Sequence, residues 1–347
     1  MELSHFTTTN QNWQEDFKHA LKSLDEVNHF FNINIQNHNY STFIPLTFAH
    51  KIKRNGTNGP LWRQFIPHYL ESDHNGKLDP IGDHIHAKGN GIIHRYSNRI
   101  LYTPTTVCPI TCRYCFRKNQ LDTNDIIFKN NLAALRKYLL SHPQVEEVIL
   151  TGGDPLILSN NKLEILLDTL SQLNLKYVRI HTRTPIILPK RIDQGLISLL
   201  DKYTTKFSRI IFTLHTNHQD EMDDEVFQAL TKLNCLRIER KTQTVLLKGI
   251  NDSSTKLLQL FNRILDVGFT PYYLHHPDQV KGAMHFYLPI ETGRKIYLEL
   301  RDKIPGWAIP HYVIDNSQGY GKQLLFNPES LSYSGKLLDK QGTLREY

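Results

Sequence analysis

Three of the chain's four cysteines, Cys108, Cys112 and Cys115, are spaced C-x3-C-x2-C. Thiolates are the protein ligands of iron–sulfur clusters. Three at this spacing can hold three irons of a cubane and leave the fourth iron open to another ligand. The same residues also allow a three-Cys zinc site, which would need a fourth ligand nearby, or three buried thiols. Cys235, the fourth, stands apart and reads as a small core residue. This usage is no disulfide framework; it argues for a reducing compartment and a metal role.

The residues that accompany these cysteines sit at one recurring place. Short β-type runs are predicted at 99–103, 147–151, 177–181, 208–213, 243–247, 271–274 and 310–314. Apolar-periodic helical runs lie between them at 131–140, 163–173, 191–200, 225–233, 256–267 and 292–301. Such alternation implies a parallel sheet with right-handed crossovers. The Cys loop follows the first run and Gly152-Gly153-Asp154 the second. His215, Asn217 and His218 follow the fourth, and Asn251 and Asp252 the fifth. Asp278 follows the sixth, and Asp315 with the loop to Lys322 follows the seventh. All lie at strand carboxyl ends, where parallel barrels keep their active sites.

Six strand–helix units and a last strand predict an α/β fold, an incomplete (β/α)6-type parallel barrel at 91–305. A helical N-terminal extension (1–90) precedes it and a short C-terminal segment (306–347) follows. In the extension, helices are expected at 13–24, 43–52 and 61–71. The stretch 73–90, rich in Asp, His and Gly, reads as loop, and no chemistry is assigned to the extension.

The 347 residues are 39% hydrophobic and 22% charged, enough for a sizeable core. The net charge of +7 suits anionic cofactors; with no long basic run or RNA-binding signature, a nucleic-acid partner is not expected. The N-terminus has no signal pattern, and no apolar run reaches the ~18–20 residues of a membrane span. A soluble, cytoplasmic protein is expected.

The motifs combine into a resemblance. Residues 108–117, with an aromatic (Tyr114) before the third Cys, are followed by 150–155 (LTGGDP), 181–185 (HTRTP), 242–252 (TQTVLLKGIND) and 271–274 (PYYL). From about 94 to 322 the chain resembles the lysine 2,3-aminomutase family of radical S-adenosylmethionine (SAM), pyridoxal phosphate (PLP) dependent enzymes. The resemblance implies a [4Fe-4S] cluster on Cys108, Cys112 and Cys115 that cleaves SAM to a radical. It places Gly152, Gly153 and Asp154 along the SAM methionine, with Gln243 and Arg183 also facing SAM. It makes Lys322 the lysine that holds PLP covalently, gives Arg95 and Arg99 the PLP phosphate, and sets Tyr96 against the cofactor. Arg117 matches the arginine for the substrate carboxylate, and Asp278 and Asp315 the two acids for the ε-ammonium of lysine. A small amino-acid substrate, an unidentified electron donor and a homo-oligomer are implied as partners.

Departures accompany the likeness. The glycine run before Lys322 keeps Gly319 and Gly321 but has Gln318 and Tyr320 in its other places. Long bacterial family members carry a Cys-rich zinc tail and a further Cys where this chain has Ser253. Residues 323–347 contain no Cys, so no zinc is expected. The shorter length resembles the elongation factor P lysine aminomutases, while 304–322 looks more like the free-standing enzymes. A 2,3-aminomutase of arginine, a radical SAM RNA-modifying enzyme without PLP, and a zinc module remain as competing readings.

Overall fold

The computed structural model describes residues 12–36, 40–121, 125–316 and 319–325, with backbone alone for 336–338 and 344–346. Gln318 lies outside the described residues. Ten strands form one sheet: β1 (Ala87–Gly89), β2 (Ile92–Tyr96), β3 (Arg99–Thr105), β4 (Glu147–Gly152), β5 (Tyr177–Thr182), β6 (Arg209–His215), β7 (Glu239–Val245), β8 (Thr270–His275), β9 (His311–Asn316) and β10 (Gly321–Leu324). They lie side by side in chain order. β3 to β9 are parallel. β1 and β2 join antiparallel at one edge and β10 at the other. The helices α1 (Leu132–Leu140), α2 (Asn160–Ser171), α3 (Gln194–Tyr203), α4 (Asp224–Thr231), α5 (Ser254–Asp266) and α6 (Ile290–Arg301) link the parallel strands.

All seven expected parallel strands are present. β7 starts four residues earlier than its β-branched run suggests and ends two earlier. The local chemistry explains the helix starts. α1 to α5 begin behind Asn131, Ser159, Asp193, Asp223 and Ser253, each accepting a backbone N–H of the first turn. Such caps contribute about 1 kcal/mol apiece. α5 buries Leu257, Leu260, Phe261 and Ile264, the i, i+3, i+4, i+7 stripe of a helix lying on a sheet. In β5, buried Val178, Ile180 and Thr182 alternate with Arg179 and His181, which line the barrel interior.

The N-terminal extension differs from expectation. The first helix stops at Lys18, and Ala20–Leu21 pairs with Ile44–Pro45. A capping box on Ser23 and Glu26 then starts an unpredicted helix, Leu24–Phe31. The third expected helix covers only Pro60–Phe65, because Pro67 drives Ile66 to extended backbone. Cys235 is exposed rather than in the core; the last turn before β7 aims it outward, where its thiol donates to the Lys232 carbonyl.

Among the described residues no backbone ladder joins β1 to β10. The arc is closed by side chains instead. The Lys322 N–H on β10 donates to the Tyr96 hydroxyl on β2 (2.9 Å), and Arg95 on β2 meets Asp315 on β9 (3.5 Å). Gly321 permits this approach: its φ is +91°, and a Cβ would overlap the Tyr96 ring. Among the described residues, no helix is long and apolar enough to cross a membrane.

Candidate active site

The concave face of the arc encloses a cavity of about 710 Å³. Of the site residues expected from the sequence, all but Gly152 line it: Arg95, Tyr96, Arg99, Cys108, Cys112, Cys115, Arg117, Gly153, Asp154, Arg183, Gln243, Asp278, Asp315 and Lys322.

The cysteines occupy the loop after β3. Burial pushes all three thiols up, Cys115 to about 11, with neighbouring thiols adding to it. Three thiols that resist ionisation suit a bound cation, which would hold them as thiolates. The Gly-Gly-Asp turn braces this loop. Gly153 and Asp154 donate their N–H groups to the Thr105 and Val107 carbonyls (3.0 and 2.9 Å). Gly152 has φ +101°, and a Cβ there would overlap Thr103; one on Gly153 would overlap Thr106 and Val107. The glycines therefore first let two protein segments touch. The Asp154 carboxylate is taken up inside the protein, accepting from Leu156 N, Thr182 Oγ1, Arg183 N and Thr184 N.

A buried ion cluster underlies the same loop. Arg113, between two of the cysteines, pairs with Glu71 at 2.5 Å, and Lys118 reaches the same carboxylate at 2.8 Å. All three side chains are 3% exposed or less. Burial opposes ionisation of Glu71, yet Arg113 and Lys118 outweigh it and hold the carboxyl down to about 2.

Arg183 also lies at the cysteine end. Its Nη1 is 3.8 Å from Cys112 Sγ, and Nη2 binds Glu221 (2.6 Å) and Gln64 (3.2 Å). Tyr114, the aromatic before the third Cys, donates to His215 Nε2 (2.7 Å), while the other ring nitrogen of His215 faces the Gln243 carbonyl (3.2 Å). Burial drives His215 well below its ordinary value, so it is a neutral acceptor.

The opposite wall carries the charges. Lys322 Nζ is 2.6 Å from Asp315. Burial would raise Asp315, but the Lys322 ammonium outweighs it and keeps the acid below the usual range. Asp278 has no such partner among the described residues. Burial first, and the Asp315 charge second, push it up to about 7. Arg117 donates Nε to Asp83 (2.9 Å) and Nη1 to Thr151 (3.3 Å). Arg95 donates to Asp83, Asp315 and the Ile81 carbonyl, leaving its buried Nε unpartnered. Arg99 lies over the Tyr96 ring at 3.7 Å.

Asp83 has no counterpart among the sequence expectations, and the reading of 73–90 as loop without chemistry is corrected here. Its side chain is fully buried and holds both Arg95 and Arg117. The helical turn Asp83–His86 also reaches the lysine loop, His86 Nε2 donating to the Gly319 carbonyl (2.7 Å). The crowding of Asp and His at 79–86 was the available signal.

The chain matches the model of the Radical SAM superfamily over residues 102–261. It is 35% identical over 319 residues to an L-lysine 2,3-aminomutase of Buchnera aphidicola, covering 88% of this chain and 93% of that one. The chain belongs to the lysine 2,3-aminomutase family. To the L-lysine 2,3-aminomutase of Escherichia coli it is 31% identical, over 89% of this chain and 94% of the other. For the Clostridium subterminale protein the figures are 32%, 78% and 65%. The first two relatives are thus matched over more than nine tenths of their length and the third over about two thirds.

Membership makes the chain a radical SAM enzyme homologous to isomerases, with a [4Fe-4S] cluster and SAM. The cavity suits the family's groups. Three thiols face one end, and Lys322, the one lysine among the described lining residues, faces the other. The orphaned Arg95 Nε and the Arg99 guanidinium over Tyr96 are donors for an anionic cofactor end.

Proposed function

We propose that the protein moves the amino group of L-lysine from C2 to C3, giving β-lysine, with a [4Fe-4S] cluster, SAM and PLP. The observation that carries this is the pair of acids in one cavity with Arg117: Asp315, already paired with Lys322, and Asp278, which makes no ion pair with a described residue and stays raised despite the charges of Lys322 and Arg117. A buried acid without a cation suits a cationic substrate end. A neutral or acidic side chain would leave it unpaired.

When bound, the cluster and SAM would supply a hydrogen-abstracting radical, and PLP would delocalise the unpaired electron during the nitrogen shift. The protein's own groups orient. Lys322 anchors PLP, with Arg99 and Arg95 toward its phosphate and Tyr96 beside it. Arg117, steadied by Asp83 and Thr151, holds the substrate carboxylate, and Asp278 with Asp315 the ε-ammonium. Fixing both ends of a flexible amino acid sets which C–H bond meets the radical.

The pH dependence follows in sign. Asp278 is neutral below about 7 and ionised above it. The lysine ε-ammonium, with an ordinary pKa of about 10.4, does not titrate in this window. KM for lysine is therefore expected to fall as pH rises from 6 to 8, and Asp278→Asn should raise KM and flatten that slope. Steady-state kinetics across the range checks it; an unchanged slope in the variant contradicts the assignment.

Asp83→Asn keeps the shape but removes the charge between two arginines. Hydrogen bonds to charged groups are worth about 1.5–3 kcal/mol. KM for the amino acid should rise ~10–100-fold, while the circular-dichroism spectrum stays native. An unaltered KM would show that Asp83 does not orient Arg117.

The deciding experiment is anaerobic reconstitution with iron and sulfide, then assay of lysine, arginine and glutamate with SAM, PLP and a reductant. β-Lysine formation is expected. Turnover of arginine alone, or none of the three with intact cluster and PLP, overturns the proposal.

A further inference from the structure

The Arg183 network converges on one sulfur. Its guanidinium stands 3.8 Å from Cys112 Sγ with one nitrogen and 2.6 Å from Glu221 with another. The two side chains are 5% and 0% exposed. Phe65 and Tyr114 flank the guanidinium at 4.8 and 5.5 Å, apolar neighbours that strengthen its field. Asp154 fixes the base of Arg183 through its backbone N–H (2.6 Å). Glu221 also accepts from Gln64 Nε2, Thr216 Oγ1 and the N–H groups of Asn217 and His218. The result is a buried dipole whose positive end faces a cluster ligand.

We propose that Arg183 and Glu221 set the reduction potential of the cluster, the guanidinium favouring the reduced state through Cys112 and the carboxylate opposing it from further away. This rests on the cluster part of the functional reading and not on PLP or lysine. One electron enters the cluster from an external reductant and passes on to SAM. Hydrogen bonds to the sulfurs and net charge are the protein's controls on such potentials. Arg183 is thus a positioning residue acting through Cys112.

The test uses the reconstituted enzyme as wild type, Arg183→Met, Arg183→Lys, Glu221→Gln and the double variant Arg183→Met/Glu221→Gln. Iron and sulfide per chain and EPR-monitored midpoint potentials are measured. Arg183→Met should lower the reduced-to-oxidised ratio at fixed potential by about tenfold, equivalent to about 59 mV for one electron, and Arg183→Lys should recover part of it. Glu221→Gln should shift the potential the opposite way. The double variant leaves no orphan charge and should fall between the two single ones. Opposite signs separate an electrostatic role from a girder, which would move both variants alike. Full clusters with unchanged potentials, shifts of one sign, or cluster loss from every folded variant would each overturn the proposal. A wild type that takes up no iron would overturn the cluster reading itself, a distinguishable failure.

Discussion

In Lys322→Ala, conversion of lysine to β-lysine is expected to fall by ~10³-fold or more, with SAM cleavage still measurable. The two halves of the site are separable because they stand on different elements. The cluster loop follows β3 and is braced by Gly153, Asp154 and Glu71, none of which touches Lys322. Lys322 is the one lysine among the described cavity-lining residues, so no described neighbour can replace its amine. Its loss also strips Asp315 of its 2.6 Å partner, and that acid's pKa should rise toward that of Asp278. Lys322→Arg separates the effects: it keeps the charge beside Asp315 but cannot bond PLP. Both variants should lose the visible absorbance of lysine-bound PLP, and product analysis by mass spectrometry gives the activity. Isomerisation at the wild-type rate in either would remove Lys322 from the mechanism.

Glu71→Gln should do the greatest damage to folding. It leaves Arg113 and Lys118 buried without an anion beneath the cysteine loop. Breaking a buried ion pair costs about 3–5 kcal/mol, and for a chain of this size that lowers Tm by about 4–7 °C. The loss should shrink above pH 8, because burial already lowers Lys118 to about 8 and a neutral lysine is cheaper to bury. In the wild type the sign is the reverse of a titrating base. A carboxyl held at about 2 when folded, against 4.5 unfolded, contributes stability above pH 4.5 that disappears as pH falls toward 2. Thermal melts at pH 9, 7 and 3 check both statements, and iron content should fall with stability. A variant melting within a degree of the wild type would mean that the cluster is not a structural tie.

The parallel strands were legible because each is a run of apolar residues between turn signals, and the active face followed from where the unusual residues stood. β2 and β10 were not legible: β2 carries Arg95 and Tyr96 and β10 carries Lys322, on short antiparallel strands with no clean alternation. Asp83 could not be found by spacing, since its partners Arg95 and Arg117 lie 12 and 34 positions along the chain. Gln64 and Glu221 meet Arg183 across 119 and 38 positions for the same reason. Local motifs reveal what binds a group; the residues that hold those motifs in place are joined by the fold. The exception is the Ser23 and Glu26 capping box, a local signal that was there to be read.

The side-chain closure of the arc at Tyr96 and Lys322 also fixes an order of events during synthesis. The cysteine loop leaves the ribosome roughly 200 residues, some 10–40 s, before Lys322. Throughout that interval β2 waits without the strand that will face it, and the nascent barrel has a gap along one side. Until then the cysteines stand beside an open wall, and Lys322, proposed above to hold PLP, arrives with the strand that closes it.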